Sequence, residues 1–315
     1  DRRLVDIIAK SRLKYPDVVD ISEDADVFPI FGWKSLLESE ITIEWLIPGL
    51  LQAQGYMLLT GKAGVGKTQL SLQAAIHMGL GKEFLGFEVT RKMRVLIMSM
   101  EMGHADIKDF ITTMSKTLTA EELETLQENI LIAPVGEPIH LDTPKGQEML
   151  RNILSVTKPD LFMWDSFGSS SSGDLVSEGP VKSVMQFNDK IRKEFGVASW
   201  FIHHNRKATA DNKKPKGLDD VYGNQYLVNH ASSVYCLWPV GDNDIDVIPL
   251  KKRLSKLEKP WAIHRRDNDL SFERRSVISG IVEDSDNVVS LDFGVVTDDE
   301  IENRPVGGED FNGEF

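Results

Sequence analysis

The stretch GKAGVGKT, residues 61–68, spaces glycines, a lysine and a threonine in the pattern G-x-x-x-x-G-K-T. Such glycines let the backbone curl so that its N–H groups face a phosphate chain, and a following helix adds its positive N-terminal end. The ammonium of Lys67 would reach the β- and γ-phosphates of ATP, and the Thr68 hydroxyl would hold Mg²⁺. A chance glycine-rich turn is the alternative, but an apolar run precedes this P-loop pattern and a helical pattern follows it. The residues expected to contact the nucleotide are Gly61, Ala63, Gly64, Val65, Gly66, Lys67, Thr68 and Gln69.

Two acidic residues at the ends of apolar runs are candidates for the remaining chemistry of phosphoryl transfer. Asp165 closes LFMWD, which is typical of a buried strand that delivers a carboxylate to the Mg²⁺ shell. Glu101 follows RVLIMSM, where a carboxylate can orient the attacking water as a general base. The plainer interpretations are an ordinary strand-end aspartate and an acid near the start of a helix. Because a P-loop lies upstream, we expect the catalytic roles.

The run ASWFIHHN ends a predicted strand with His203, His204 and Asn205. A polar side chain at this position can sense the γ-phosphate and link hydrolysis to the loop that follows, and we expect His204 to do so. A metal site is disfavoured because adjacent strand residues face opposite ways and no third ligand is apparent. A surface histidine at the end of a strand is the alternative.

Basic residues cluster at two places in this acidic chain. The segment after the histidines carries cations that could contact the phosphates of single-stranded DNA, although a solvated charged loop is the commoner meaning of such a run. These candidate DNA-binding residues are Arg206, Lys207, Lys213, Lys214 and Lys216. The second cluster follows the strand pattern DVIPL. There Lys251 and Arg253 could reach a nucleotide bound by a neighbouring subunit, or could simply form a basic surface turn.

The composition limits the function classes. The chain has 315 residues, a net charge of −13 and 41% hydrophobic residues, which suffices for a core. A surface with this much negative charge repels nucleic acid and anionic membranes on average. Any DNA site must therefore be local and shielded from the rest of the surface. We expect no membrane partner, since no run of eighteen apolar residues occurs. The absence of a secretory leader and the single cysteine, Cys236, favour a cytoplasmic location.

Apolar runs that alternate with helical patterns predict an α/β fold with a mostly parallel central sheet, helices on both faces and antiparallel edge strands. Strands are predicted at 55–60, 94–100, 129–135, 161–165, 198–204, 232–238 and 246–250. The expected organisation is a helical lead-in (1–45), a nucleotide-binding core (46–275), a C-terminal β segment (276–296) and a disordered acidic tail (297–315). The tail ends in Phe315 and suits docking into a basic groove with an apolar pocket, or serves only as a solubilising tail.

Several motifs together carry a family resemblance: IEWLIPGLLQAQGYMLLTGKAGVGKTQLSLQAA, VLIMSMEM, FMWDS, FIHHNRK and NQYLVNHASSVYCL, in this order. Over roughly residues 43–270 they resemble the RecA-like core of hexameric replicative helicases, with the plasmid RepA type closest. The resemblance implies a hexameric, ATP-driven ring acting on single-stranded DNA in phage or plasmid replication, with a replication protein as partner of the tail. It implies that Lys67 and Thr68 bind nucleotide and Mg²⁺, that Glu101 is the base, Asp165 the Mg²⁺-linked acid and His204 the phosphate sensor.

One position departs from this family pattern. RepA-type proteins carry an arginine, a candidate finger acting in trans, where this chain has Tyr222. The K-x-R spacing of Lys251 and Arg253 resembles the finger pair of other replicative helicases, and the role is transferred there. Two alternative functions stay open: a RecA- or RadA-like recombination or annealing ATPase, and a KaiC-like ATP-driven assembly switch without DNA.

Overall fold

The computed structural model describes residues 31–134, 138–205 and 214–275, and the backbone of short strands at 18–19, 30, 277–281 and 291–295. Most of the predicted lead-in lies outside the described residues, as do Arg206, Lys207, Lys213 and the acidic tail. The chain divides into two compact units, Asp1–Glu44 and Trp45–Phe315.

The described part of the first unit contains three short elements. Strands β1 (Val18–Val19) and β2 (Ile30–Phe31) pair antiparallel. Helix α1 (Trp33–Leu37) follows and buries none of its residues. Its Trp33 side chain is almost wholly exposed.

The second unit is built on a nine-stranded sheet. A small antiparallel pair precedes it, β3 (Trp45–Ile47) and β4 (Leu51–Gln52). The parallel strands of the large sheet are β5 (Tyr56–Gly61), β6 (Val95–Ser99), β7 (Ile130–Pro134), β8 (Leu161–Asp165), β9 (Ala198–His204) and β10 (Ser233–Pro239). Three antiparallel strands complete it: β11 (Asp244–Lys252), β12 (Trp261–Arg265) and β13 (Phe272–Arg275). The spatial order is β13-β12-β11-β10-β5-β9-β8-β6-β7.

Helices cover both faces of this sheet. They are α2 (Lys67–Leu80), α3 (His104–Met114), α4 (Ala120–Asn129), α5 (Pro144–Thr157), α6 (Glu178–Phe195) and α7 (Gln225–His230). Local signals set several of their ends. Thr119 and Glu122 form a capping box at the start of α4, and the Thr143 hydroxyl caps α5 ahead of Pro144. Gly81 and Gly196 end α2 and α6 in the left-handed conformation.

The sheet is buried on both sides because its strand residues alternate between two cores. On β5, Met57 and Leu59 pack with the apolar face of α2, whereas Tyr56 and Leu58 pack with α6. The expected architecture of a mostly parallel sheet, helices on both faces and an antiparallel edge is confirmed. A separate hairpin, β14 (Val277–Ile281) with β15 (Leu291–Val295), occupies the segment assigned to a C-terminal β element. None of the helices in the described part of the chain is long and apolar enough to cross a membrane.

Candidate nucleotide-binding site

Parallel pairing brings the candidate residues to one edge of the sheet. Gly61 at the end of β5 lies opposite His204 at the end of β9, and Asp165 at the end of β8 lies opposite Ser99 on β6. Glu101 follows β6 by two residues. The carboxyl ends of parallel strands are where open α/β sheets bind ligands. The P-loop, both acidic residues and the sensor candidate therefore share this edge.

The P-loop needs glycine at the start of α2. Gly66 has φ +98°, a left-handed conformation that side chains rarely adopt. A Cβ at Gly66 would lie 2.8 Å from Cζ of Phe272, so the loop also packs too closely for a side chain. Lys67 is buried, and its Nζ donates hydrogen bonds to the carbonyl oxygens of Gly61 (3.2 Å) and Lys62 (2.7 Å). Burial lowers the pKa of Lys67, and the carboxylates of Asp165 and Glu101 oppose that shift.

Thr68 and Asp165 form the candidate magnesium site. The Thr68 hydroxyl donates a hydrogen bond of 2.5 Å to Oδ2 of Asp165. Burial raises the pKa of Asp165, against the lowering effect of this bond. A hydroxyl and a carboxylate are hard oxygen ligands, and Mg²⁺ is commonly held by one or two such groups together with phosphates and water. The donor set therefore fits Mg²⁺.

Glu101 contacts two partners that orient its carboxylate. The Ser166 hydroxyl donates a hydrogen bond to Oε1 of Glu101. Nε2 of His204 lies 3.7 Å from the same oxygen. These contacts, His204 first, lower the pKa of Glu101 although partial burial works the other way. Glu101 thus stays ionised at neutral pH, as a general base must.

The two adjacent histidines have different surroundings. His203 is buried, and its Nε2 lies 2.8 Å from the carbonyl oxygen of Tyr222. Burial lowers the pKa of His203 to about 4, so its ring is neutral at pH 7. His204 is partly exposed and faces Glu101. Of the pair, only His204 is in position to respond to events at the acidic residue.

Edge strands β12 and β13 supply neighbours of the P-loop that no sequence motif indicates. Phe272 packs against Gly66, and Gln73 on α2 exchanges two hydrogen bonds with the Phe272 backbone, of 2.7 and 2.8 Å. Nη1 of Arg265 lies 3.4 Å from Oε1 of Gln69. Neither Arg265 nor Phe272 has a characteristic spacing to the glycines, so only the folded sheet reveals them.

Acidic residues bind the described end of the basic segment, residues 206–220. Lys214 forms an ion pair with Asp246 on β11, and the backbone N–H of Lys216 donates to Asp220 at 2.8 Å. Both lysine side chains remain exposed enough to meet a ligand. The other three candidate DNA contacts fall outside the described residues.

Lys251 and Arg253 lie far from the P-loop of their own chain. Nζ of Lys251 donates to the carbonyl oxygens of Val228 (2.7 Å) and Asn229 (2.8 Å), and Arg253 donates to Asn229 at 2.9 Å. They therefore bind the C-terminal end of α7. Lys252 pairs with Ser233 at the start of β10, whereas the P-loop follows the opposite end of the neighbouring strand β5. The two cations cannot serve the nucleotide site of the same chain.

Comparisons with known proteins agree with this architecture. The family model described as "AAA domain" (AAA_25) matches residues 32–210. Among solved structures, one described as an ATPase domain superposes with a TM-score of 0.55 at 14% identity, covering 76% of this chain and 95% of that chain. The KaiC-like protein PH0186 from Pyrococcus horikoshii OT3 gives a TM-score of 0.49 at 17% identity, covering 73% and 94%. No curated protein matches the chain's sequence. At such identities the likeness to the solved ATPase domain shows a shared RecA-like P-loop fold.

Proposed function

We propose that this chain, which belongs to the AAA domain family, is an ATPase that moves along single-stranded DNA as a homo-oligomeric ring. The proposed functional type is a hexameric replicative helicase of the plasmid RepA type. One observation carries the proposal. The basic segment begins at the carboxyl ends of the parallel strands, and the same end of the sheet carries Lys67, the Thr68–Asp165 pair and the Glu101–His204 pair.

Binding and activation of ATP fall to the P-loop and Asp165. The β- and γ-phosphates would attract the Lys67 ammonium away from the two carbonyl oxygens that it binds. Thr68 and Asp165 would hold Mg²⁺, which neutralises charge on the phosphate oxygens when bound. The left-handed glycine at 66 keeps the start of α2 aimed at the phosphates.

Hydrolysis requires a water molecule aligned with the γ-phosphorus. Glu101 would accept the proton of this water while the water oxygen attacks the γ-phosphorus and ADP leaves. Ser166 supports this role because its hydroxyl fixes one carboxylate oxygen of Glu101. His204 contacts the same oxygen, and would therefore respond when the base or the γ-phosphate changes.

Coupling to DNA is proposed for the segment that follows His204. The candidate contacts Lys214 and Lys216 belong to it, and their charge is local in a chain of net charge −13. A ring with a basic channel lets an acidic protein bind a polyanion, since the channel is shielded from the outer surface. Phosphate contacts of this kind do not depend on the base sequence of the DNA. A motor that moves along DNA requires such sequence-independent contacts.

Assembly of several copies is supported by Lys251 and Arg253. They face away from their own nucleotide site and could act only on that of another copy, as a finger in trans. A contact between opposite ends of the strands is head-to-tail, and such contacts form a ring when the rotation between copies closes and a filament when it does not. The same proposal assigns the core to residues 46–275 and a partner-docking role to the acidic tail.

The test is ATP hydrolysis and duplex unwinding measured on the full chain. The proposal predicts that single-stranded DNA stimulates hydrolysis and that a tailed duplex is unwound. Strand annealing or exchange without unwinding would favour a recombination ATPase. Hydrolysis indifferent to DNA would favour an assembly switch and would contradict the proposal.

A further inference from the structure

Asn205, the first residue after β9, joins three strand ends beneath the P-loop. Its Oδ1 accepts a hydrogen bond from the Thr60 hydroxyl on β5 at 2.6 Å. Its Nδ2 donates to Sγ of Cys236 on β10 at 3.1 Å. Thr60 and Cys236 are wholly buried and lie opposite each other in the sheet. One amide side chain thus reaches from its own strand to the neighbouring strand and to the one beyond.

The backbone of Asn205 contacts the P-loop directly. Its N–H donates to the carbonyl oxygen of Gly61 at 3.3 Å. This oxygen also accepts the hydrogen bond from Nζ of Lys67. When phosphates attract the Lys67 ammonium away from this oxygen, the N–H of Asn205 would still donate to it. A movement of the P-loop would therefore be transmitted to Asn205.

Both ends of the basic segment meet at this residue. Asn205 forms an isolated antiparallel bridge with Val221, and the Tyr222 N–H donates to the His204 carbonyl at 3.3 Å. The chain between Asn205 and Val221 carries all five candidate DNA contacts. The base of that segment is therefore clamped to the same strand ends that carry the P-loop.

We propose that Asn205 is a positioning residue that couples the P-loop to the basic segment between it and Val221, through its hydrogen bond to Thr60. This inference rests on the proposed function of the site. It assigns separate tasks to consecutive residues: His204 contacts the base Glu101, and the backbone of Asn205 contacts the P-loop at Gly61. Coupling between two binding sites is reciprocal, so DNA on the segment and nucleotide on the P-loop change each other's affinity by the same factor.

Thr60→Val is the sharpest variant, because valine has nearly the shape of threonine and removes only the hydroxyl donor. The expected result is an unchanged basal rate and an unchanged KM for ATP. The ratio of DNA-stimulated to basal hydrolysis should fall about fivefold, the factor that one hydrogen bond is typically worth. Thr60→Ser keeps the donor and should restore the ratio. Ser199→Ala is the matched control, since this buried β9 hydroxyl has no partner among the described residues.

A second readout measures the same coupling from the DNA side. The Kd for a fluorescein-labelled oligo(dT) is measured with and without a non-hydrolysable ATP analogue. The ratio of the two Kd values should move towards one in Thr60→Val, because the variant weakens the coupling between the two binding sites. Asn205→Ala provides an independent variant in case Thr60→Val lowers the melting temperature.

The outcomes separate the inference from the function that it rests on. A wild-type protein that DNA does not stimulate would overturn both the proposed function and the coupling. Wild-type stimulation that survives in Thr60→Val and Asn205→Ala would overturn the coupling alone. A drop in basal rate with the stimulation ratio intact would mean that the hydrogen bond only supports the fold, which also overturns it.

Discussion

Removing the hydroxyl of Ser166, as in Ser166→Ala, should lower kcat for ATP hydrolysis by about an order of magnitude. Ser166 is fully buried directly after the candidate magnesium aspartate, and its Oγ donates to one carboxylate oxygen of Glu101. In Ser166→Ala, the remaining partner of Glu101 among the described residues is His204, at 3.7 Å, which is longer than a hydrogen bond. The carboxylate would then sample orientations that do not align the attacking water.

The size of this effect follows from the exposure of Glu101. A hydrogen bond to a charged group contributes about 1.5–3 kcal/mol. The Glu101 side chain is 46% exposed, so solvent screens part of it, and about 1–2 kcal/mol is expected. At 1.36 kcal/mol for each factor of ten, kcat should fall about 5- to 30-fold. KM for ATP should not change, because the hydroxyl faces the base and not the phosphates.

The assay is steady-state ATP hydrolysis as a function of pH. The Ser166 bond helps to lower the pKa of Glu101, so its loss raises that pKa and moves the acidic limb of kcat/KM to higher pH. Ser170→Ala is the control: its hydroxyl is also buried in this turn but donates to the Phe167 carbonyl at 2.7 Å. An unchanged kcat and pH profile in Ser166→Ala would refute the positioning of the base by Ser166.

Three further variants test separate parts of the account. Glu101→Gln should bind ATP normally and hydrolyse it about 10²- to 10⁴-fold more slowly; loss of binding, seen with a fluorescent analogue, would mean a structural role. Replacing Lys214 and Lys216 by alanine should reduce the slope of log K against log salt for single-stranded DNA by about 1.4, for two phosphate contacts. An unchanged slope would move the DNA site elsewhere. Gly146→Ala should destabilise the fold by about 3 kcal/mol in thermal melts, because its Cβ would lie 2.0 Å from the His140 carbonyl oxygen; an unchanged melt would contradict this packing.

Most of the central sheet could be predicted because buried parallel strands appear as short apolar runs. The bounds of β8 and β9 match the runs LFMWD and ASWFIHH. Strands β12 and β13 escaped prediction, since WAIHR and FERR mix charged and apolar residues at the edge of the sheet. The neighbours that they bring to the P-loop, Arg265 and Phe272, escaped prediction with them.

The site was predictable where its residues belong to one local motif and not where tertiary pairing decides. The P-loop glycines and Lys67 follow from a single stretch of eight residues. The partnership of Ser166 with Glu101 depends on β6 and β8 lying side by side, which no local pattern encodes. The position of Lys251 and Arg253 likewise depends on the antiparallel direction of β11. This direction places them at the opposite end of the strands from the P-loop.

The most direct test of the account is the steady-state ATPase rate with and without single-stranded DNA, with Lys67→Ala as the blank. Lys67→Ala should abolish hydrolysis, because the β- and γ-phosphates lose their cation. The wild type should hydrolyse ATP measurably, and single-stranded DNA should stimulate it strongly. Hydrolysis that persists in Lys67→Ala would contradict the nucleotide site, and a wild-type rate that is indifferent to DNA would contradict the motor.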